Sequence, residues 1–222
     1  MTTQRKIGHL LNSRGEGRDF TYTRELALPF DLTRAVLVTE KVDGSTMQCL
    51  AGEPYKRYDN FKAGDPRKHG ASEAERYRLE KCSRDKPHER YYLDAFDQYA
   101  AAFDLVSPKV WVYFEAIGPK IGARYRGPYE HSTVRVFDTS EGGVFLPFGE
   151  TRAIAARVGL PLVGVTERVF GTLDALLTDL ASAQSVDDRL PAHELEGWVL
   201  RQWHEGRELV AKVRKADLGR VT

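Results

Sequence analysis

The sequence predicts an α+β fold, mainly antiparallel sheets with helices packed on them. Two patterns support this. Short runs rich in Val, Phe, Tyr and Trp, such as "KVWVYFEAIG" and "STVRVFDT", are bounded by Gly, Pro, Asp and Ser and read as strands. Other segments place apolar residues at helical spacing. A chain of 222 residues, 41% hydrophobic and 29% charged, is long enough to bury a sizeable core.

Taken in order, "RAVLVTE" (34–40) reads as a buried strand and "STMQCLAG" (45–52) as its hairpin partner, with Asp43-Gly44 as the turn signal. "EPYKRYDNFKAGDPRKHGA" (53–71) is polar and punctuated by Gly and Pro. It reads as loop with a short strand at "PYKRY". "YYLDAFDQYAAAFDLV" (91–106) sets Leu93, Phe96, Ala100 and Phe103 on one face of an amphipathic helix. "KVWVYFEAIG" (109–118), "STVRVFDT" (132–139), "GGVFLPF" (142–148), "EGWVLRQW" (196–203) and "RELVAKVRK" (207–215) are further strands. "GETRAIAARVG" (149–159) and "TLDALLTDLASA" (172–183) are helices.

No low-complexity tract or linker divides the chain, and the repeated "KIG" is too short to be a repeat unit. The expectation is one domain over 1–222 with a basic, polar insertion at about 56–90. No apolar run approaches the roughly 20 residues that span a bilayer, and "MTTQRKIGHLLNSRGEGR" has no apolar signal core. Cys49 and Cys82 lack metal-type spacing and read as free thiols of a reducing compartment. A cytoplasmic protein is expected. The net charge of +1 supplies no global field for nucleic acid. Charge is nonetheless uneven. Residues 56–90 hold eleven Lys/Arg against seven Asp/Glu, and residues 201–220 hold six against three. The plain reading of both stretches is a solvated face.

Charges also recur in or beside apolar strands: Lys41, Glu115, Glu196, Lys212 and Arg214. A buried charge without a partner is costly, so such residues are paired, solvated or functional. Singly, each reads as an outward-facing position. Together they are able to line one cleft.

"EKVDG" (40–44) resembles the KxDG nucleophile motif of the covalent nucleotidyltransferases, the superfamily of polynucleotide ligases and mRNA capping enzymes. "YFEAIG" resembles the family's third motif, "VRVFDT" the next, "ELEGWVLR" the EGxV motif and "LVAKVRK" the final basic motif. KxDG alone recurs by chance. Five motifs in family order, across residues 41–215, make a specific signal.

The resemblance implies the nucleotidyltransferase fold, with the nucleotide in a cleft between the sheets. It implies a lysine that attacks the α-phosphate of a nucleoside triphosphate, with Lys41 as nucleophile. A free lysine titrates near 10.4, so the site must favour the neutral amine; burial, a metal cation and neighbouring cations all act in that direction. Lys212 and Arg214 are the neighbouring cations. They would also hold the α-phosphate as charge develops on it. Glu40 belongs to the same nucleotide-binding motif. Asp43 would orient the lysine or simply form the turn, and Gly44 would supply a positive φ or a close backbone approach. Glu115 suits the ribose hydroxyls because its ionised oxygens only accept; its structural alternative is a partner for a core arginine. Phe137 would stack on the base, or be a core residue. Glu196 is the expected ligand for Mg2+, with Mn2+ as substitute, because these ions take oxygen ligands. Arg57, with Lys56 as rival, matches the arginine that ligases carry downstream of the nucleophile.

Only "ADLGRVT" follows the last motif, so neither an OB-fold nor another C-terminal domain is expected. "RKIGHLLNSRG" and the pattern after KxDG resemble small RNA ligases. The expectation is an ATP-dependent RNA ligase acting on RNA with 5′-phosphate and 3′-hydroxyl ends. Residues 56–90, where Tyr55, Tyr58, Phe61 and Tyr77 interleave with cations, would grip the strand. The alternatives are a minimal DNA ligase, a capping-type guanylyltransferase, and a nucleic-acid-binding module without catalysis. The six histidines show no metal spacing, although His193 lies three residues before Glu196.

Overall fold

A computed structural model of the protein describes residues 7–15, 20–61, 65, 67, 71–121, 132–186 and 195–222. In chain order the strands begin with β1 (Gly8–His9), β2 (Leu11–Arg14), β3 (Thr21–Leu26), β4 (Val36–Lys41), β5 (Ser45–Leu50) and β6 (Glu53–Asp59). Then come α1 (Glu73–Arg76), β7 (Tyr77–Lys81), α2 (Arg90–Asp97), α3 (Ala100–Asp104), β8 (Val110–Ile117), β9 (Thr133–Glu141) and β10 (Val144–Phe145). The rest is α4 (Phe148–Val158), β11 (Val165–Arg168), α5 (Leu173–Ser182), β12 (Gly197–His204), β13 (Arg207–Arg214) and a 3-10 helix, Lys215–Arg220. Sheets dominate and the helices are few and short, as the strand-rich sequence predicts. Among the described residues, no helix is long and apolar enough to cross a membrane.

The chain forms two compact units. One holds the described residues of 44–162; the other holds those up to Asp43 and from Val163 onward. The second unit is built on a five-stranded sheet of order β1-β13-β12-β4-β11 and a two-stranded sheet of β2 and β3. Alternate residues of a strand point to opposite faces. Val36 and Val38, Trp198 and Leu200, and Leu209, Ala211 and Val213 therefore share one face, and they pack with Leu176 and Leu180 of α5 into its core. The first unit is built on a six-stranded sheet of order β10-β9-β8-β5-β6-β7. Its core gathers Met47, Cys49, Val112, Phe114, Val134 and Val136 with Phe96 and Phe103. The Phe96 and Phe103 rings stack with centroids 4.7 Å apart. Both cysteines are free and buried there, and burial pushes each thiol up to about 12.

Three sequence expectations need correction, and one strand forms where none was expected. β4 and β5 are not hairpin partners. β4 pairs with β11 and β12, while β5 pairs with β6 and β8. The Asp43-Gly44 turn thus carries the chain from one sheet to the other. The true hairpin is β5–β6, because Ala51 and Gly52 both take positive φ, the conformation a tight two-residue turn needs. Tyr77–Lys81, for which the sequence pattern suggests no element, forms β7 against β6, with Tyr55 opposite Lys81 and Asp59 opposite Tyr77. The helix expected over 91–106 breaks at Gln98-Tyr99. Gln98 donates from its side-chain amide to the Ser132 carbonyl, and the Tyr99 hydroxyl bonds Thr133, which holds Tyr99 off helical geometry. "GGVFLPF" contributes only Val144–Phe145 to a strand, since Gly142 and Gly143 form a positive-φ turn and Pro147 caps α4.

Candidate active site

Three neighbouring strands of the five-stranded sheet bring their chemistry-bearing ends together. Gly197 opens β12 and pairs with Lys41, the last residue of β4, on one side and with Arg214, the last residue of β13, on the other. In the next row Val199 lies between Thr39 and Lys212, and His9 of β1 lies beyond Lys212. Lys41, Lys212 and Arg214 therefore project from the face opposite the core. Glu196 immediately precedes β12. Its carboxylate accepts from the Lys41 ammonium at 2.5 Å, and both side chains are partly shielded from water. Burial holds Lys212 below the ordinary lysine value, and the nearby Lys41 and Arg214 charges act the same way.

Arg214 has a partner of its own. Its Nε and Nη2 donate to both oxygens of buried Asp217, at 3.0 and 2.7 Å. That bond and the carboxylate charge hold the guanidinium well above its usual range. Glu40 lies apart from Lys41, because adjacent strand residues face opposite ways. Its carboxylate accepts from the Ser185 hydroxyl at 2.9 Å and from the Val186 amide, so it braces the segment after α5. Asp43 sits half-buried in the turn.

The remaining expected residues belong to the six-stranded sheet. One face of that sheet is the apolar core. The other carries Thr46 and Gln48 of β5, Tyr55 and Arg57 of β6, Tyr113 and Glu115 of β8, and Arg135 of β9. Glu115 accepts from the Thr46 hydroxyl at 3.0 Å and pairs across the ladder with fully buried Arg135. Phe137 occupies a bulge, where β9 has one residue more than β8, and it is half-buried. A bulge re-aims a side chain out of the ladder's alternation. Gly44 meets the second half of its expectation. A Cβ there would fall 2.4 Å from the Ala116 carbonyl oxygen and 2.8 Å from Glu115 Cγ, so close approach excludes a side chain, and its φ is not positive. Strand alternation separates Arg57 from Lys56. Lys56 lies over the Tyr92 ring on the core side, and Arg57 stacks on Tyr77 at 4.1 Å.

Within 56–90 the described cations already have partners. Lys81 pairs with Glu53, Arg78 with Glu80, and Lys86 with Glu80 and Glu89. The Tyr58 ring is covered by Arg78 and Lys86. His193 and the rest of 187–194 lie outside the described residues.

Among the described residues no three His, Cys, Asp or Glu side chains cluster as a metal cage. A lone carboxylate is nevertheless the donor set that suits magnesium, which keeps several waters and takes further oxygens from phosphate. Glu196 fits that description.

The family model for RNA ligases matches residues 34–214, a span that includes Lys41, Arg57, Glu115, Phe137, Glu196, Lys212 and Arg214 but neither His9 nor Asp217. The chain belongs to the RNA ligase family. No curated protein matches it. Solved structures similar to this RNA ligase family member include two forms of an archaeal ATP-dependent RNA ligase. Each is 16% identical and covers 83% of this chain and 43% of its own, with TM-scores of 0.47 and 0.48. A protein from Aquifex aeolicus, provisionally assigned as an ATP-dependent DNA ligase, is 18% identical over 83% of this chain and 44% of its own, with a TM-score of 0.47. The chain thus spans less than half the length of these structures.

Sequence reasoning passed over His9, Tyr22 and Asp217, which surround Arg214. They lie near the two ends of the chain, and nothing in their local pattern signals that they meet.

Proposed function

We propose that the protein is an ATP-dependent RNA ligase that works through a covalent lysyl-AMP at Lys41. One observation supports this most directly. Within a chain of the RNA ligase family, the lysine of the KxDG motif ends a strand beside a carboxylate 2.5 Å away, and a desolvated Lys212 stands on the next strand but one. A general cation-binding surface has no use for that combination.

The first step forms a bond from Lys41 Nζ to the α-phosphorus of ATP and breaks the bond to pyrophosphate, with a proton leaving the amine. Glu196 is placed to hold the amine and orient it before attack. Lys212 offsets negative charge as it develops on the α-phosphate, where a preorganised cation acts most strongly. In the second step an oxygen of an RNA 5′-phosphate attacks the same phosphorus and Lys41 departs. In the third, a 3′-hydroxyl attacks the activated 5′-phosphate and AMP leaves. Glu115 accepts from the ribose hydroxyls, Arg57 binds the nucleotide or the acceptor end, and Phe137 packs on the base. Mg2+ held through Glu196 would neutralise charge on the triphosphate.

Intact-protein mass spectrometry after incubation with magnesium and ATP tests this reading, with GTP and Lys41→Ala alongside. The expected result is one AMP per chain that requires Lys41. Pyrophosphate should remove it, which covers protein purified already adenylylated. A GMP adduct would move the assignment to a capping enzyme, and no adduct before or after pyrophosphate would end it. Ligation of 5′-phosphorylated RNA against nicked DNA then tests the polymer.

A further inference from the structure

Arg214 stands in the same row as Lys41, yet its guanidinium is turned away to a buried acid. It makes both fork hydrogen bonds to Asp217, which is 4% exposed, and its charge acts on the hydroxyl of Tyr22, which is 3% exposed. A bidentate pair on a desolvated carboxylate leaves little of the fork for another anion. The Tyr22 hydroxyl shares a 2.9 Å hydrogen bond with His9 Nδ1, and His9 Nδ1 lies 3.6 Å from Asp217. His9 is the cross-strand neighbour of Lys212. Its strand, β1, is two residues long and joins the sheet at the edge beside β13; the Leu10 amide adds a bond to the Lys212 carbonyl. So short a strand relies on side-chain anchors. The groups facing Lys212 are His9 from β1, Lys41 from β4, Glu196 before β12, Arg214 from its own strand and Asp217 from the 3-10 helix.

We infer that Asp217, Arg214, Tyr22 and His9 form a network that positions Lys212, with Arg214 serving as a strut in that network and Lys212 as the cation of β13 that meets the α-phosphate. The inference rests on the proposed lysyl-AMP chemistry. Asp217 is its keystone, because it holds Arg214 directly and borders His9. Without it, β1 loses an anchor on one side of Lys212 and an uncompensated guanidinium is released on the other.

Single-turnover lysyl-AMP formation, measured across ATP concentrations in the full chain, separates this from a direct phosphate contact by Arg214. The variants are Asp217→Asn, Arg214→Met and the double Arg214→Met/Asp217→Leu, each checked for folding by circular dichroism. A positioning network acts on the transition state, so Asp217→Asn and Arg214→Met should each slow the maximal rate by about tenfold or more while the half-saturating ATP concentration shifts by less than about threefold. The double variant should be no slower than the singles, because a residue pair acting as one unit is not additive. A phosphate-binding Arg214 gives the opposite pattern. Arg214→Met would then weaken ATP saturation, and Asp217→Asn, which frees the guanidinium, would leave the rate intact or raise it. Either result overturns the network. Wild-type protein that forms no adduct removes the proposed function, and the positioning role with it. A working wild type beside an unimpaired Asp217→Asn removes the positioning role alone.

Discussion

A methyl group added at Gly197 would reach the centre of the candidate site. Its Cβ would fall 2.2 Å from the Val213 carbonyl oxygen and 2.7 Å from Arg214 Cα. Both are backbone atoms of β13, so no rotamer change relieves the clash. Restoring even 3.0 Å means parting β12 from β13 by about 0.8 Å. Gly197 is paired with Lys41 on one side and Arg214 on the other, so the displacement falls between the strand of Lys41 and the strand of Lys212 and Arg214. Overpacking of this kind costs about 1–3 kcal/mol, and a stiffer unfolded chain offsets up to about 1 kcal/mol of it. The net loss of up to about 3 kcal/mol lowers the melting temperature by up to roughly 12 °C at this chain length. The kinetic effect should be larger in proportion, since misplacing reacting groups by about 1 Å costs on the order of a hundredfold. Gly197→Ala should therefore form lysyl-AMP about 10–100-fold more slowly while still folding. The control is Gly149→Ala. Gly149 sits in the first turn of α4, where a Cβ meets nothing within 4 Å and φ is not positive. There alanine should stabilise by about 0.5–1 kcal/mol. Thermal melts and quenched-flow adenylylation on both variants decide the matter. If Gly197→Ala melts like Gly149→Ala and reacts at the wild-type rate, the close approach argued from the structure is wrong.

Phe103→Ala removes a ring that is 1% exposed and packed on Phe96 and Phe114, and should cost about 3–5 kcal/mol in urea unfolding; under about 1 kcal/mol would mean that this core is loosely packed. Glu196→Gln removes the partner of Lys41 at a partly exposed site, so stability should move by about 1 kcal/mol or less while adenylylation slows at least about tenfold; equal loss of both would make Glu196 a structural residue. His9 is held below its ordinary value of 6.5, chiefly by burial and then by the Lys212 charge. The unfolded chain therefore binds more protons in the window just under 6.5, and stability present above that value is lost as pH falls through the folded one. His9→Gln should flatten this limb of a melting-temperature profile, and an unchanged limb would assign it to other groups.

The residues of the site were more legible than their surroundings. Lys41, Glu196 and Lys212 sit in motifs whose order along the chain is itself information, and the sheet brings them to one end because β4, β12 and β13 are neighbours. Lys41 and Glu40 look equivalent in "EKVDG", yet strand alternation sends them to opposite faces, and only knowledge of which face is core reveals which one shares a face with Lys212 and Arg214. The Asp43-Gly44 turn signal marks where the strand ends but cannot say whether the next strand rejoins the same sheet. β7 was hidden by its charge; the alternation of Tyr77 and Leu79 with Arg78 and Glu80 was the available sign. The network around Arg214 joins residues from the two ends of the chain, a contact that no local pattern encodes.

The two buried cysteines have a practical consequence. With thiols near 12, only about one in 10⁵ is ionised at neutral pH, and thiolate is the form that reacts with maleimides and iodoacetamides. A cysteine introduced at an exposed position would then outcompete Cys49 and Cys82 for such reagents. Fluorophores or spin labels can be attached at chosen sites with the native core sulfurs left in place, and distances between labelled elements can be followed as nucleotide is added.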